Sequence, residues 1–198
     1  MFFFKILSLH TGKFLVFLSY CILMLSRTKK IGYAVAGIIL FFAFIFLIFT
    51  ASFRRPCRKT VQKYAQMPSL AFSIIKAESG FSEDAVSSAG AVVLMQLMPS
   101  TAKFVCEQNN IPFNAEQLND GEYNAMLGCI YLNYLQSRFE DTETVVAAYN
   151  AGEGIVSLWL KNTEYSDDGI HLKSIPYGET KNYVKKVLRY QKIYAIFD

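Results

Sequence analysis

Between Ile31 and Thr50 the chain runs for 20 residues without a charged side chain, mostly through Ile, Leu, Phe and Ala. No other feature limits the fold as strongly. In a helix rising about 1.5 Å per residue, such a run spans the roughly 30 Å of a bilayer's hydrocarbon, so it predicts a transmembrane helix. A cleaved signal peptide is the competing reading, but its apolar region usually extends for only about 7–15 residues. Thr50-Ala51-Ser52 still offers small residues where a peptidase could act. Both readings stand, with the uncleaved anchor favoured by length. Arg54, Arg55 and Pro56 precede Cys57 in place of the small apolar residues that would mark a lipid-modified cysteine.

This run divides the chain into an expected order of segments. Residues 1–30 form an N-terminal extension, in which Phe14 to Leu25 is apolar for 12 residues, too short for a comfortable span. Met24, followed by Arg27, Lys29 and Lys30, reads equally well as the natural start of a signal anchor. The extension is therefore either an over-extended start or a short membrane segment. Residues 31–53 are the anchor, 54–63 a basic juxtamembrane linker, and 64–198 a domain large enough to bury its own core. Arg27, Lys29 and Lys30 place the N-terminal side in the cytoplasm, which predicts a single-pass protein of the cell membrane with its domain outside; Arg54, Arg55, Arg58 and Lys59 oppose that signal.

Acidic residues, Asn and Gln fall almost entirely after residue 62, so a formal net charge of +4 is partly the work of the juxtamembrane basic residues. Those would lie near anionic headgroups or in solvent, and they do not call for a nucleic-acid partner. Cys21, Cys57, Cys106 and Cys129 show no CxxC spacing and accompany only two histidines, which gives no zinc pattern. Cys106 and Cys129 could pair outside the cell, but both fall on helical patterns where a free cysteine packs as a small apolar group.

Beyond residue 58 the apolar period is helical, and an all-α domain follows. From Ser69 to Ser79, Leu70, Ile74, Ala77 and Glu78 share one face, with Gly80 where a C′ glycine belongs. Tyr123, Met126, Leu127, Ile130, Tyr131, Tyr134 and Leu135 trace a stripe on a second, central helix. Thr144 to Asn150 makes a third, capped by Asp141 or Thr142 and ending near Gly152; Tyr183, Val187, Tyr190 and Tyr194 mark a terminal helix, and Pro99 suits the first turn of another.

Glu78 is the residue with chemical promise. Its position continues a buried face at a helix's C-terminal end, where burial and the negative end of the helix dipole both disfavour ionisation. A carboxylic acid kept protonated near neutral pH can deliver that proton to a glycosidic oxygen. A solvent-facing glutamate at the helix edge is the plain alternative.

Four blocks decide between them. Glu78-Ser79-Gly80-Phe81, then Ala85 to Ala91 with Leu94-Met95-Gln96-Leu97-Met98-Pro99-Ser100-Thr101-Ala102, then Ala147-Ala148-Tyr149-Asn150-Ala151-Gly152, then Ile175-Pro176-Tyr177-Gly178-Glu179-Thr180-Lys181-Asn182-Tyr183-Val184 occur in order. Over about residues 60 to 194 the chain closely resembles the Slt-type lytic transglycosylases, relatives of goose-type lysozyme. The resemblance implies a lysozyme-like helical domain that cleaves peptidoglycan glycan strands without metal or organic cofactor. It also implies Glu78 as the single catalytic acid/base and Ser87 as the orienter of the substrate's N-acetyl group. Met95, Gln96 and Met98 would line the groove, Tyr149 and Asn150 would face the glutamate, and Glu179 and Tyr183 would form the far wall. Ordinary glycosidases need two flanking carboxylates, and Glu83 and Asp84 sit in a loop of surface character. The family's route is substrate assistance that ends in a 1,6-anhydro sugar. Val93 stands where the family typically has glycine, and the stretch from Tyr64 to Leu70 is shorter than the usual lead into the catalytic helix. A wall-binding scaffold that grips without cutting, and a lysozyme that hydrolyses, are the alternatives.

Overall fold

The computed structural model describes residue 19, residues 29–81 and residues 94–197. Among these, the regular elements are all helical. They fall into two compact units that divide between Phe53 and Arg54.

The first unit contains α1, Lys29–Ser52. Within it Gly32–Ser52, 21 residues, is long and apolar enough to cross a membrane. Leu40, Phe41, Phe42, Phe44 and Phe46 are exposed, the pattern of a helix apolar on all sides rather than along one stripe.

The second unit comprises α2 (Arg58–Tyr64), α3 (Pro68–Glu78), α4 (Pro99–Gln108), a 3₁₀ turn (Glu116–Asn119), α5 (Gly121–Arg138), α6 (Thr142–Ala151), α7 (Glu153–Leu160) and α8 (Gly178–Tyr194). Residues 54–63, expected as a linker, hold most of α2. Val61 in that helix is fully buried, and α2 packs on α5. The short lead from Tyr64 to Pro68 is closed by Asn133 of α5, whose Nδ2 donates to Tyr64 O at 2.6 Å while its Oδ1 accepts from Gln66 N at 2.9 Å.

The core forms around α3. Pro68 occupies its first turn, where a missing N–H costs nothing. Leu70, Phe72, Ile74 and Ile75 have almost no exposed surface, each contributing roughly 1.5–3 kcal/mol by leaving water. Apolar residues on several sides bury this helix, which packs most extensively on α8 and also meets α2. The helix ends at Ser79, and Gly80 follows at φ +59°, the left-handed C′ position that a residue without Cβ adopts at least cost.

On α5 the buried face is Asn124, Ala125, Leu127, Gly128, Cys129, Leu132 and Leu135. Of the apolar stripe expected there, Leu127 and Leu135 are buried, while Tyr123, Met126, Ile130, Tyr131 and Tyr134 lie half-buried on the helix's flank. Small residues at 125, 128 and 129 let neighbouring segments approach closely, which decides which face turns inward. Asp120 caps α5 by accepting from Tyr123 N at 2.8 Å, and Asp141 caps α6 by accepting from Thr144 N at 2.8 Å, each cap contributing about 1 kcal/mol. Gly152 at φ +92° joins α6 directly to α7, in a conformation open only to glycine. Cys106 and Cys129 are buried and free.

Candidate active site

Glu78 ends α3 mostly buried, not facing solvent at the helix edge. Its Oε1 accepts a 2.6 Å hydrogen bond from the Tyr183 hydroxyl of α8, 105 residues away in sequence. Burial pushes the carboxyl up to about 7 from 4.5. The Tyr183 bond and the Lys186 charge oppose that rise, and the charge of Glu179 adds to it. Lys186 is itself held, its Nζ donating to Ala77 O at 2.7 Å. The carboxyl thus sits in a place that favours its neutral form yet lies beside groups that can stabilise its anion. That is the balance an acid needs if it is to give a proton and later take one back.

Tyr149, near the end of α6, is largely buried. Its hydroxyl stays protonated, pushed well above its ordinary range by burial and then by the nearby Glu78 charge. That hydroxyl donates to Met95 O at 2.9 Å, which fastens the strip leading into α4 to the end of α6. Around Tyr149 an aromatic row continues through Tyr131 (5.5 Å between ring centres), Tyr134 (6.2 Å from Tyr131) and Phe104 (5.2 Å from Tyr134).

The structure brings Glu78, Tyr149, Glu179 and Tyr183 together. The other expected site residues divide differently. Met95, expected in the groove wall, turns into the core with no exposed surface. Its backbone N–H donates to Asn124 Oδ1 at 3.0 Å, and its side chain fills the space left by Gly128, where an added Cβ would come within 2.4 Å of Sδ. A hole opened by a glycine 33 positions away decides its orientation. Asn150 is engaged by Thr180 Oγ1, which donates to its Oδ1 at 2.8 Å, so it ties α6 to α8. Gln96 takes a positive φ of 46°, and Met98 at the start of α4 is 39% exposed. Glu179 is exposed in the first turn of α8. Ser87, Val93, Glu83 and Asp84 lie outside the described residues.

Lys186, Thr180 and Asn124 were not anticipated. Lys186 had a signal, since it stands three residues after Tyr183 and so on a neighbouring part of the same helix surface. Among the described residues no cluster of His, Cys, Asp and Glu could hold a metal ion.

A profile for the transglycosylase SLT domain matches residues 55–171. The soluble lytic murein transglycosylase of Escherichia coli K12 is 39% identical over 133 residues, which covers 65% of this chain and 21% of that protein. Membrane-bound lytic murein transglycosylase C of Haemophilus ducreyi is 28% identical over 160 residues, 69% of this chain and 44% of that one. The chain therefore spans from about a fifth to under half the length of these relatives. Among solved structures, an inactive glutamate-to-glutamine mutant of the lytic transglycosylase Slt from Pseudomonas aeruginosa superposes with a TM-score of 0.63 at 38% identity, over 72% of this chain and 24% of that one. With its helices, its buried Glu78 and a profile match over more than half its length, the chain belongs to the transglycosylase SLT domain family.

Proposed function

We propose that this protein cleaves the β-1,4 bond between N-acetylmuramic acid and N-acetylglucosamine in peptidoglycan, with Glu78 as its single acid/base and 1,6-anhydromuramic acid as its product. The observation that carries the reading is the buried Glu78 carboxyl, raised to about 7 and bonded to Tyr183. Glu78 gives its proton to the glycosidic oxygen as that bond breaks, while the substrate's own N-acetyl oxygen bonds to the anomeric carbon. The Glu78 carboxylate then takes the proton of the sugar's 6-hydroxyl, whose oxygen displaces the N-acetyl oxygen and closes the anhydro ring. The names of the relatives, and the loss of activity in one of them when a glutamate becomes glutamine, support this reading. Mass spectrometry of the glycans released from purified peptidoglycan tests it. Anhydro ends are expected; products one water heavier would make the protein a hydrolase, and no products would leave a wall-binding scaffold.

Tyr183→Phe tests the electrostatics of the same site. The Tyr183 bond favours the ionised carboxylate, so its loss is expected to raise the Glu78 pKa further and to move the alkaline limb of kcat/KM to higher pH. A limb that moves to lower pH, or stays in place, would contradict this account.

The same proposal makes α1 a membrane anchor with the helical unit outside the cell. The full chain is expected to stay with the membrane fraction after alkaline carbonate washing, and protease added to protoplasts is expected to digest the helical unit. A unit protected in intact protoplasts would reverse the topology.

A further inference from the structure

Helix α8 has two dissimilar faces. Thr180, Tyr183, Val184, Val187 and Tyr194 are buried, whereas Lys181, Lys185, Arg189 and Lys192 are all exposed. At about 100° per residue, these four cations fall within an arc of about 80° on the side opposite the buried residues. No carboxylate of the helix shares that arc, since its one acidic residue, Glu179, falls about 80° beyond the arc's edge.

The C-terminal end of α8 is fastened to the start of the helical unit. Tyr194 is fully buried, with its ring 5.7 Å from Phe72, and its hydroxyl donates to Arg54 O at 3.1 Å. Arg54 stands two residues after Ser52, the last residue of α1. The end of α8 that carries Arg189 and Lys192 is therefore fastened to the segment through which the chain enters the helical unit. Arg54 and Lys59 are exposed and basic too, and Ile196, 76% exposed, adds an apolar side chain beyond Lys192.

We propose that the face of α8 formed by Lys181, Lys185, Arg189 and Lys192 docks on the anionic lipid headgroups of the bilayer that α1 crosses, giving the helical unit a second, electrostatic attachment. This rests on the reading of α1 as a membrane anchor. Ammonium and guanidinium groups donate charge-assisted hydrogen bonds to phosphodiester oxygens, and each cation near an anionic surface strengthens attachment roughly fivefold.

The test uses the full chain in vesicles of phosphatidylcholine, alone or mixed with phosphatidylglycerol, each carrying a dansyl-headgroup lipid. Trp159 is the chain's single tryptophan and serves as the energy donor. Transfer is expected to rise when phosphatidylglycerol is present and to fall back in about 1 M salt, where the screening length shrinks to about 3 Å. The combined change Lys181→Gln, Lys185→Gln, Arg189→Gln and Lys192→Gln is expected to remove the rise, and replacing the three lysines by arginine to keep it. Equal transfer in both vesicles, or a rise that survives the glutamine changes, would overturn the proposal. Flotation with phosphatidylcholine vesicles checks the anchor separately. A chain that floats there without a lipid-dependent rise keeps its anchor and loses this inference, and one that fails to float loses the anchor reading itself.

Discussion

Replacing Glu78 by glutamine is expected to abolish glycan cleavage and, at pH 8, to make the protein more stable than the wild type. The loss of activity follows from removing the transferable proton while keeping the shape, and is expected to reach about 10²–10⁴-fold or more. The gain in stability follows from the same burial. Glu78 titrates at about 7 in the folded chain against 4.5 when unfolded. Below pH 4.5 both states hold the proton, and its burial costs nothing extra. Between pH 4.5 and 7 the unfolded chain releases a proton that the folded chain keeps, so stability falls as pH rises, by about 3 kcal/mol in all. Glutamine has no proton to lose, and its amide oxygen can still accept the Tyr183 hydroxyl. Melting temperatures should therefore agree near pH 4 and separate by about 5–10 °C at pH 8, the variant higher. Turnover within tenfold of wild type would remove Glu78 from the acid/base role. Equal melting temperatures at pH 8 would show that its carboxyl is not held protonated by burial.

Gly128→Ala is expected to damage both stability and turnover through its packing against Met95. An added Cβ would meet Met95 at 2.4 Å from Sδ and 2.9 Å from Cβ. The Met95 thioether could swing aside, but its Cβ cannot move without its backbone. That backbone is held on both sides, its N–H by Asn124 and its carbonyl by Tyr149. Overpacking of this kind costs about 1–3 kcal/mol, and a shift of about 1 Å transmitted to Tyr149 can cost on the order of a hundredfold in rate. Alanine at position 95 keeps Cβ and removes only the Sδ and Cε contacts, so the Gly128→Ala, Met95→Ala pair should lose less stability than the sum of the two single variants, a coupling expected only of residues in contact. Additive losses, or a Gly128→Ala variant as stable and active as wild type, would show that the strip at Met95 has room to move.

The helices that carry the site were legible because their apolar spacing is regular. Leu70, Ile74 and Ala77 placed Glu78 at the edge of a buried face, and Tyr183, Val187 and Tyr194 oriented α8. What escaped notice was short or nonlocal. In α2, seven residues with four charges or amides hide one deciding apolar contact, Val61. For α7, Gly152 read as the end of a helix, and it is also the start of the next. Met95 could not be assigned to core or groove from its neighbours, because the space it fills belongs to Gly128. On α5, Leu127 and Leu135 of the expected stripe are buried, but its aromatics lie on the flank, and the small residues Ala125, Gly128 and Cys129 share the inner face. Size rather than hydropathy settled that orientation, and a pattern of apolar positions carries little information about size.

The bond between Tyr183 and Glu78 joins positions 105 residues apart, and this sets an order in time. During synthesis, α3 is made long before α8, so for most of that interval Glu78 has neither its hydroxyl donor nor Lys186 beside it. The core of α3 is equally incomplete, since Phe72 waits for Tyr194. A chain halted before residue 183 has its acid but not the enclosure that raises its pKa. Under the proposed function, cutting power would thus be withheld until nearly the whole helical unit has been made, and a chain still emerging could not attack the wall.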